Sequence, residues 1–327
     1  RIDPEHVEAH CGLGCLLKKE RKDIDGAEAA FRAAIRIDPK DANAHLNQGI
    51  LLKTERNDID GAEEAFRAAI AADPKHVNAY GALGQLLLQQ RGAFAEAEAL
   101  FRRLIELAPQ TVSKVIFQSS GSEANDTAVK LVHYYNNSIG RPEKKKIISR
   151  MKAYHGTTRT AASLTGLPNM HKHFDLPLSG ILHTDCPHHY RFALDGESEE
   201  DFATRLAGNL EAMIVAEGPD TVAAFIAEPI MGAGGVIVPP EGYHARCLEV
   251  CRRHDVLYIS DEVVTAFGRL GHFFASEAVF DIVPDIITTA KGLTSGYVPM
   301  GALLISDRLI GEINQEGGAS AVFSNGF

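Results

Sequence analysis

Cysteine is scarce in this sequence: five residues in 327, with no C-x-x-C pair. An odd, dispersed set of thiols argues against a disulfide framework and for buried, reduced side chains. Cys11/Cys15 and Cys247/Cys251 are each spaced to share one helix face. Basic residues are also in deficit, with 33 Lys+Arg against 43 Asp+Glu and a formal net charge of −10. A dominant role on nucleic acid or on an anionic membrane needs the opposite balance. No apolar run approaches the roughly 18 residues of a membrane span. No signal-peptide pattern opens the sequence, which begins with Arg1. The expected compartment is a reducing cytoplasm, with neither nucleic acid nor membrane as partner. Glycine and proline, at 29 and 14, are ordinary, so collagen-like and disordered chains are excluded. The length predicts about two domains.

What is present begins with a repeat. Asp3-Pro4, Asp38-Pro39 and Asp73-Pro74 recur every 35 residues, and Pro109 continues the series. Gly14, Gly49 and Gly84 keep the same step, as do Ala27, Ala62 and Ala97, and Phe31, Phe66 and Phe101. Each unit reads as two helices: apolar positions such as Ala44, Ile50, Leu51 and Leu52, then an Asn-Asp-Ile-Asp-Gly turn, then Ala62, Ala65, Phe66, Ala69 and Ile70 on one face. The small residues permit close helix contact and the phenylalanines fill the neighbouring gap. This pattern resembles the tetratricopeptide repeat with one extra residue per unit, over residues 1–109. The resemblance implies a protein partner held in a concave groove. The alternative is a spacer without a ligand. The first unit reads as cut at its N-terminal side.

Beyond the short link at 110–113 the period changes. Strand-like runs occur at 115–118, 146–149, 222–227, 255–260, 285–289 and 302–305, with helices expected at 123–136, 201–217 and 243–253. Such alternation predicts an α/β fold, a mainly parallel sheet covered on both faces, whose ligands gather at the carboxyl ends of the strands.

Five features stand at those ends. Ser119-Ser120-Gly121-Ser122 between strand and helix suits a phosphate, because helix N-terminal amides face an anion and Gly121 allows close approach; a plain N-cap is the simpler reading. Tyr154, in Ala153-Tyr154-His155-Gly156, can stack on a flat ring; a core or rim tyrosine is the simpler reading. Glu228 follows an apolar strand and is expected to be solvated or paired at the sheet edge, next to a flexible glycine loop at 231–240 whose glycines read most simply as turns. Asp261 ends another apolar strand and needs a cationic partner; a protonated pyridine nitrogen would serve. Lys291 follows a third, and its amine is expected in a low-dielectric pocket that favours the nucleophilic neutral form; a surface lysine is the simpler reading. One cofactor asks for all of these together: pyridoxal 5′-phosphate, with an anion site, a ring sandwich, an acid at the ring nitrogen and a lysine for the aldehyde.

Residues 112–327 resemble the class III pyridoxal-phosphate-dependent aminotransferases, with the fold of aspartate aminotransferase. The motifs are SGSEANDTAVK (120–130), YHG (154–156), EPIMGAGGVIVPPEGY (228–243), DEVVTAFGRLG (261–271) and AKGLTSGYVPMGA (290–302). The resemblance implies that Gly121 and Ser122 hold the phosphate. It places Tyr154 on one ring face and Val263 on the other, pairs Asp261 with the ring nitrogen, and sets Glu228 near the ring. Lys291 binds the aldehyde and carries the catalytic proton. The implied reaction moves an amino group from an amine or ω-amino acid to a keto acid such as pyruvate, in a homodimer. Ala266 and Thr265 stand where the family usually has Gly and often Cys. The family's N-terminal segment, C-terminal small domain and substrate arginine have no counterpart here, so the sequence reads as a fragment or a joined reading frame. Weak cofactor binding, poor catalysis and a tendency to aggregate are expected of the isolated chain. The alternatives are an interaction scaffold with an inactive aminotransferase remnant, or an aminomutase or decarboxylase of the same class. His171/His173 and Cys186/His188/His189 match no usual zinc spacing and read as loop residues. Gly12-Leu13-Gly14 lies within a repeat helix, so it is not a dinucleotide loop.

Overall fold

The computed structural model describes residues 6–74, 76–87, 112–294 and 299–315, which fall into two compact units. Ala97, Phe101, Pro109 and the terminal Ser324-Asn325-Gly326-Phe327 lie outside the described residues.

The first unit is helical. Its elements are α1 (Val7–Leu16), α2 (Ile24–Ile37), α3 (Ala42–Leu51), α4 (Ile59–Ala72) and α5 (Val77–Leu86). Asp23 and Asp58 cap α2 and α4 by accepting the Gly26 and Gly61 amides, each at 2.9 Å. The glycine–phenylalanine complementarity is direct. A Cβ on Gly14 would stand 2.5 Å from Phe31 Cε1, and one on Gly49 would stand 2.6 Å from Phe66 Cε1. A side chain at either glycine would collide with the ring carried by the following helix. The extra residue of the repeat also has a place. α1 and α3 run on into π-helical turns at Leu17–Arg21 and Leu52–Arg56. A π turn holds one residue more than an α turn and so converts the usual 34-residue period to 35. Lys22 and Asn57 then close these helices in the left-handed conformation, at φ 55° and 54°.

The second unit is built on a seven-stranded sheet: β1 (Val112–Gln118), β2 (Lys146–Arg150), β3 (Ile181–Thr184), β4 (Val222–Ala227), β5 (Leu257–Asp261), β6 (Ile286–Thr289) and β7 (Gly301–Ser306). Their spatial order is β1-β7-β6-β5-β4-β2-β3, and only β7 runs against the rest. The helices are α6 (Gly121–Ser138), α7 (Arg159–Leu164), α8 (His189–Phe192), α9 (Glu199–Glu217), α10 (Tyr243–Arg253), α11 (Ala275–Phe280) and α12 (Asp307–Gln315).

Alternation along the strands separates two cores. Ile147, Ala224, Ile226, Leu257, Ile259 and Ile286 face α6 and α12 through Ala128, Leu131, Val132, Leu309 and Ile313. Ile148, Phe225, Ala227 and Tyr258 face α9 and α10 through Phe202, Leu206, Leu210, Cys247 and Cys251. The sheet is thus buried on both faces, as its near-continuous apolar strands require. β5 starts two residues later than the sequence suggests, because Asp255 turns in the left-handed region at φ 51°. It runs one residue further and carries Asp261 within the strand.

Candidate active site

β5 delivers Asp261 to the carboxyl edge of the sheet, 3% exposed. A carboxylate so buried must be hydrogen-bonded. Three donors reach it from three segments. Asn125 Nδ2, on α6, lies 2.8 Å from Oδ2. His155 Nδ1, in the segment after β2, lies 2.7 Å from the same oxygen. The Val263 amide reaches Oδ1 at 3.1 Å. Behind the histidine, Ser149 Oγ stands 3.1 Å from Nε2. The nearby cationic partner that Asp261 calls for in this fold is therefore an imidazole when protonated.

Glu228, just past β4, departs from expectation. It is neither solvated nor ion-paired at an edge but 4% exposed. Its two oxygens accept the Tyr154 amide at 3.0 Å and the Gly232 amide at 3.1 Å. Burial pushes its carboxyl above the usual range, against the pull of His155. Arg150, at the end of β2, donates Nη2 to the Glu228 carbonyl at 2.6 Å and anchors the strand exit. The glycine loop forms turns, as its simpler reading expects, and is closed by Met231 and Ile237, which exchange backbone hydrogen bonds of 3.1 and 2.9 Å. Glu228 thus ties the Tyr154 segment to this loop.

The start of α6 has a reciprocal cap. Ser120 Oγ accepts the Glu123 amide at 3.2 Å, and the Glu123 carboxylate accepts the Ser119 amide at 2.8 Å. The cap reading of this turn therefore holds. Gly121 and Ser122 occupy the first two helical positions, where amides have no intrahelical acceptor. A Cβ on Gly121 would stand 2.9 Å from Val263 Cγ2 and 3.3 Å from the Ala290 Cβ. The Ser119–Ser122 turn, the turn after Asp261 and the residue before Lys291 therefore meet at one point. Ser122 Oγ accepts the Thr157 amide at 3.1 Å, which joins the Tyr154 segment to the same turn. Gly121, Ser122, Tyr154 and Val263 are each half-buried.

Lys291 follows the simpler of its two sequence readings, that of a surface residue. It opens a short 3-10 turn, Lys291–Leu293, at φ 33°, and its side chain is exposed. The turn starts two residues past β6, and among the described residues no low-dielectric pocket surrounds the lysine.

Sequence reasoning passed over His155 and Asn125, although both lie inside motifs it singled out. The available signal was polarity in an apolar setting. Asn125 is fully buried on the α6 face that carries Ala124 and Ala128.

A mainly parallel sheet with a glycine–serine turn, a strand-end aspartate and a lysine after the neighbouring strand defines a pyridoxal-phosphate-type transferase fold. The model of the class-III aminotransferase family matches residues 74–325, and the chain belongs to that family. A tetratricopeptide-repeat model matches residues 7–41. Among curated relatives, gamma-aminobutyrate transaminase 1, mitochondrial, of Oryza sativa subsp. indica is 55% identical over 216 residues, covering 66% of this chain and 42% of the relative. Vanillin aminotransferase of Capsicum frutescens is 55% identical over 216 residues, covering 66% of this chain and 47% of the relative. The omega transaminase of Pseudomonas jessenii, solved in complex with PMP, superposes with a TM-score of 0.66 at 56% identity, over 69% of this chain and 50% of that one. The chain thus spans about half the length of the relatives it matches.

The cofactor of the family is pyridoxal 5′-phosphate, and the residues present fit it. A carboxylate has about four lone-pair positions. Donors from Asn125, His155 and Val263 take three on Asp261, which leaves one on Oδ1 for a ring N–H. At Gly121 any side chain would fill the space against Val263 and Ala290.

Proposed function

We propose that this chain carries the cofactor-binding core of an aminotransferase that moves an amino group from an amine or ω-amino acid to a keto acid such as pyruvate. The observation that carries this reading is the hydrogen-bonded, buried Asp261 beside the Gly121–Val263–Ala290 meeting point. The relatives' names, gamma-aminobutyrate transaminase and vanillin aminotransferase, support an amine or ω-amino donor.

Bound pyridoxal phosphate supplies an electrophilic aldehyde and an electron-accepting ring. The amides of Gly121 and Ser122 bind its phosphate at the N-terminus of α6. Tyr154 covers one ring face and Val263 the other. Asp261 holds a proton at the ring nitrogen, and His155 and Asn125 hold Asp261. Glu228 fixes the segment that presents Tyr154. Lys291 would hold the aldehyde and would carry the proton moved at the amine-bearing carbon of the substrate. The donor leaves as a ketone or aldehyde, and the keto acid leaves as an amino acid. On this reading the aminotransferase unit pairs as a homodimer, and the repeat groove docks a protein partner. Five free cysteines suit a reducing compartment, the cytoplasm first among them. No helix among the described residues is long and apolar enough to cross a membrane.

The exposure of Lys291 favours one other reading, a repeat scaffold with a non-catalytic core. The experiment is to supply purified chain with pyridoxal phosphate, 4-aminobutyrate and pyruvate, and to detect alanine by mass spectrometry. Alanine is expected from the wild type and not from Lys291→Ala. Bound cofactor without alanine supports the scaffold. Loss of carbon dioxide, or an isomer with a shifted amino group, points to a decarboxylase or an aminomutase.

A further inference from the structure

We propose that Asn125 is a positioning residue, which clamps the cofactor-site segments together and sets the orientation of Asp261 toward the ring nitrogen. The proposal rests on the assignment of Asp261 to that nitrogen.

Asn125 is 0% exposed and lies one turn into α6, the helix whose first residues are Gly121 and Ser122. A buried amide is costly unless its hydrogen-bonding groups find partners. Here they do, and each partner belongs to a different part of the site. Nδ2 donates to the His155 carbonyl at 2.7 Å and to Asp261 Oδ2 at 2.8 Å. Oδ1 accepts the Thr288 hydroxyl at 2.7 Å. His155 follows the stacking residue Tyr154, and Thr288 lies on β6, three residues before Lys291. One side chain therefore joins the phosphate helix, the stacking segment, the acid and the lysine strand.

The orientation of the amide is set by its neighbours. A carbonyl and a carboxylate both require donors, whereas the Thr288 hydroxyl is able to donate. The other donor to Oδ2 is His155 Nδ1, at 2.7 Å. Asn125 and His155 together occupy Oδ2, and Oδ1, which receives only the Val263 amide from the described residues, is left toward the ring. Loss of the Asn125 donor frees the carboxylate to rotate. That weakens its grip on a ring N–H but leaves the phosphate amides untouched.

The test compares two ligands on the full chain: pyridoxal phosphate, and its analogue with the ring nitrogen replaced by C–H. Dissociation constants come from quenching of protein fluorescence. The wild type is expected to prefer the nitrogen-bearing ligand. Without that preference the assignment of Asp261 fails, and the clamp falls with it. In Asn125→Ala the preference is expected to shrink about tenfold, the weight of a hydrogen bond to a charged group. The analogue's affinity stays within about twofold of wild type, because its binding does not use the ring contact. Equal weakening of both ligands, or an unchanged preference, overturns the proposal while leaving the Asp261 assignment standing. If Asn125→Ala does not fold, Thr288→Val decides. It keeps both Asn125 donors but releases the carbonyl, and the preference is expected to fall about threefold. An unchanged preference in that variant contradicts the clamp.

Discussion

Replacing Gly121 by alanine sets two effects of opposite sign against each other. Gly121 begins α6 with no left-handed backbone. On conformational grounds alone, alanine there would stabilise the fold by about 0.4–1 kcal/mol. The contacts oppose this. The new Cβ would stand 2.9 and 3.1 Å from the two Val263 methyls and 3.3 Å from the Ala290 Cβ. Ordinary contact begins near 3.4 Å. The valine is stiff about χ1 and the alanine has no rotamer to change, so backbone must move. Overpacking of this kind costs about 1–3 kcal/mol. The net expectation is a loss of about 1 kcal/mol, or about 2–4 °C in melting temperature for a unit of this size. Because the displaced groups are Gly121 and Val263, proposed above to hold the phosphate and to face the ring, affinity for pyridoxal phosphate should also fall about tenfold. Gly208 is the control: it lies within α9, and a Cβ there meets nothing within 4 Å. Gly208→Ala should raise the melting temperature and leave cofactor affinity alone. Thermal melts of both variants, with and without pyridoxal phosphate, decide. A Gly121→Ala protein that melts at or above wild type refutes the contact argument.

Two further outcomes concern stability. In the repeat unit, Gly49→Ala drives a methyl to within 2.6 Å of the buried Phe66 ring and should cost about 1–3 kcal/mol in urea unfolding; Gly12→Ala, with nothing within 4 Å, should be neutral or stabilising. His244 is buried, and desolvation first, then the nearby Arg150 charge, holds its pKa down from 6.5 to about 3. The unfolded chain therefore binds a proton that the folded chain refuses, so this contribution is present above pH 6.5 and is lost as pH falls from there toward 3. Between pH 7.5 and 5 it amounts to about 2 kcal/mol. Glu228 and Glu262, whose carboxyls burial pushes up, act in the opposite sense above the ordinary glutamate value. The comparison is thus with His244→Gln, whose denaturation midpoint should fall less on acidification than that of wild type.

Much of the fold was legible because its signals are local. A 35-residue period places Gly49 and Phe66 in every unit, and their contact follows from size alone. Buried parallel strands such as β4, with six buried residues in succession, announce themselves by composition. β3 did not, since it is a four-residue edge strand that carries a histidine and a threonine. The helices α7, α11 and α12 are only six, six and nine residues long, too short for periodicity to speak. In the site, Asp261, Glu228 and Lys291 could be named from strand ends. Their surroundings could not. The donors to Asp261 come from 136 and 106 residues away in the chain. The environment of Glu228 depends on two backbone amides, which carry no residue-type signature. The exposure of Lys291 follows from a three-residue turn that apolar patterning does not encode.

The central claim is that Lys291 is the residue that takes the cofactor. The direct measurement is borohydride reduction of the full chain incubated with pyridoxal phosphate, followed by proteolysis and mass spectrometry of the peptides. A single phosphopyridoxyl adduct on Lys291, absent from Lys291→Ala, is the predicted result. Adducts spread over other lysines, or none on folded protein, would contradict it.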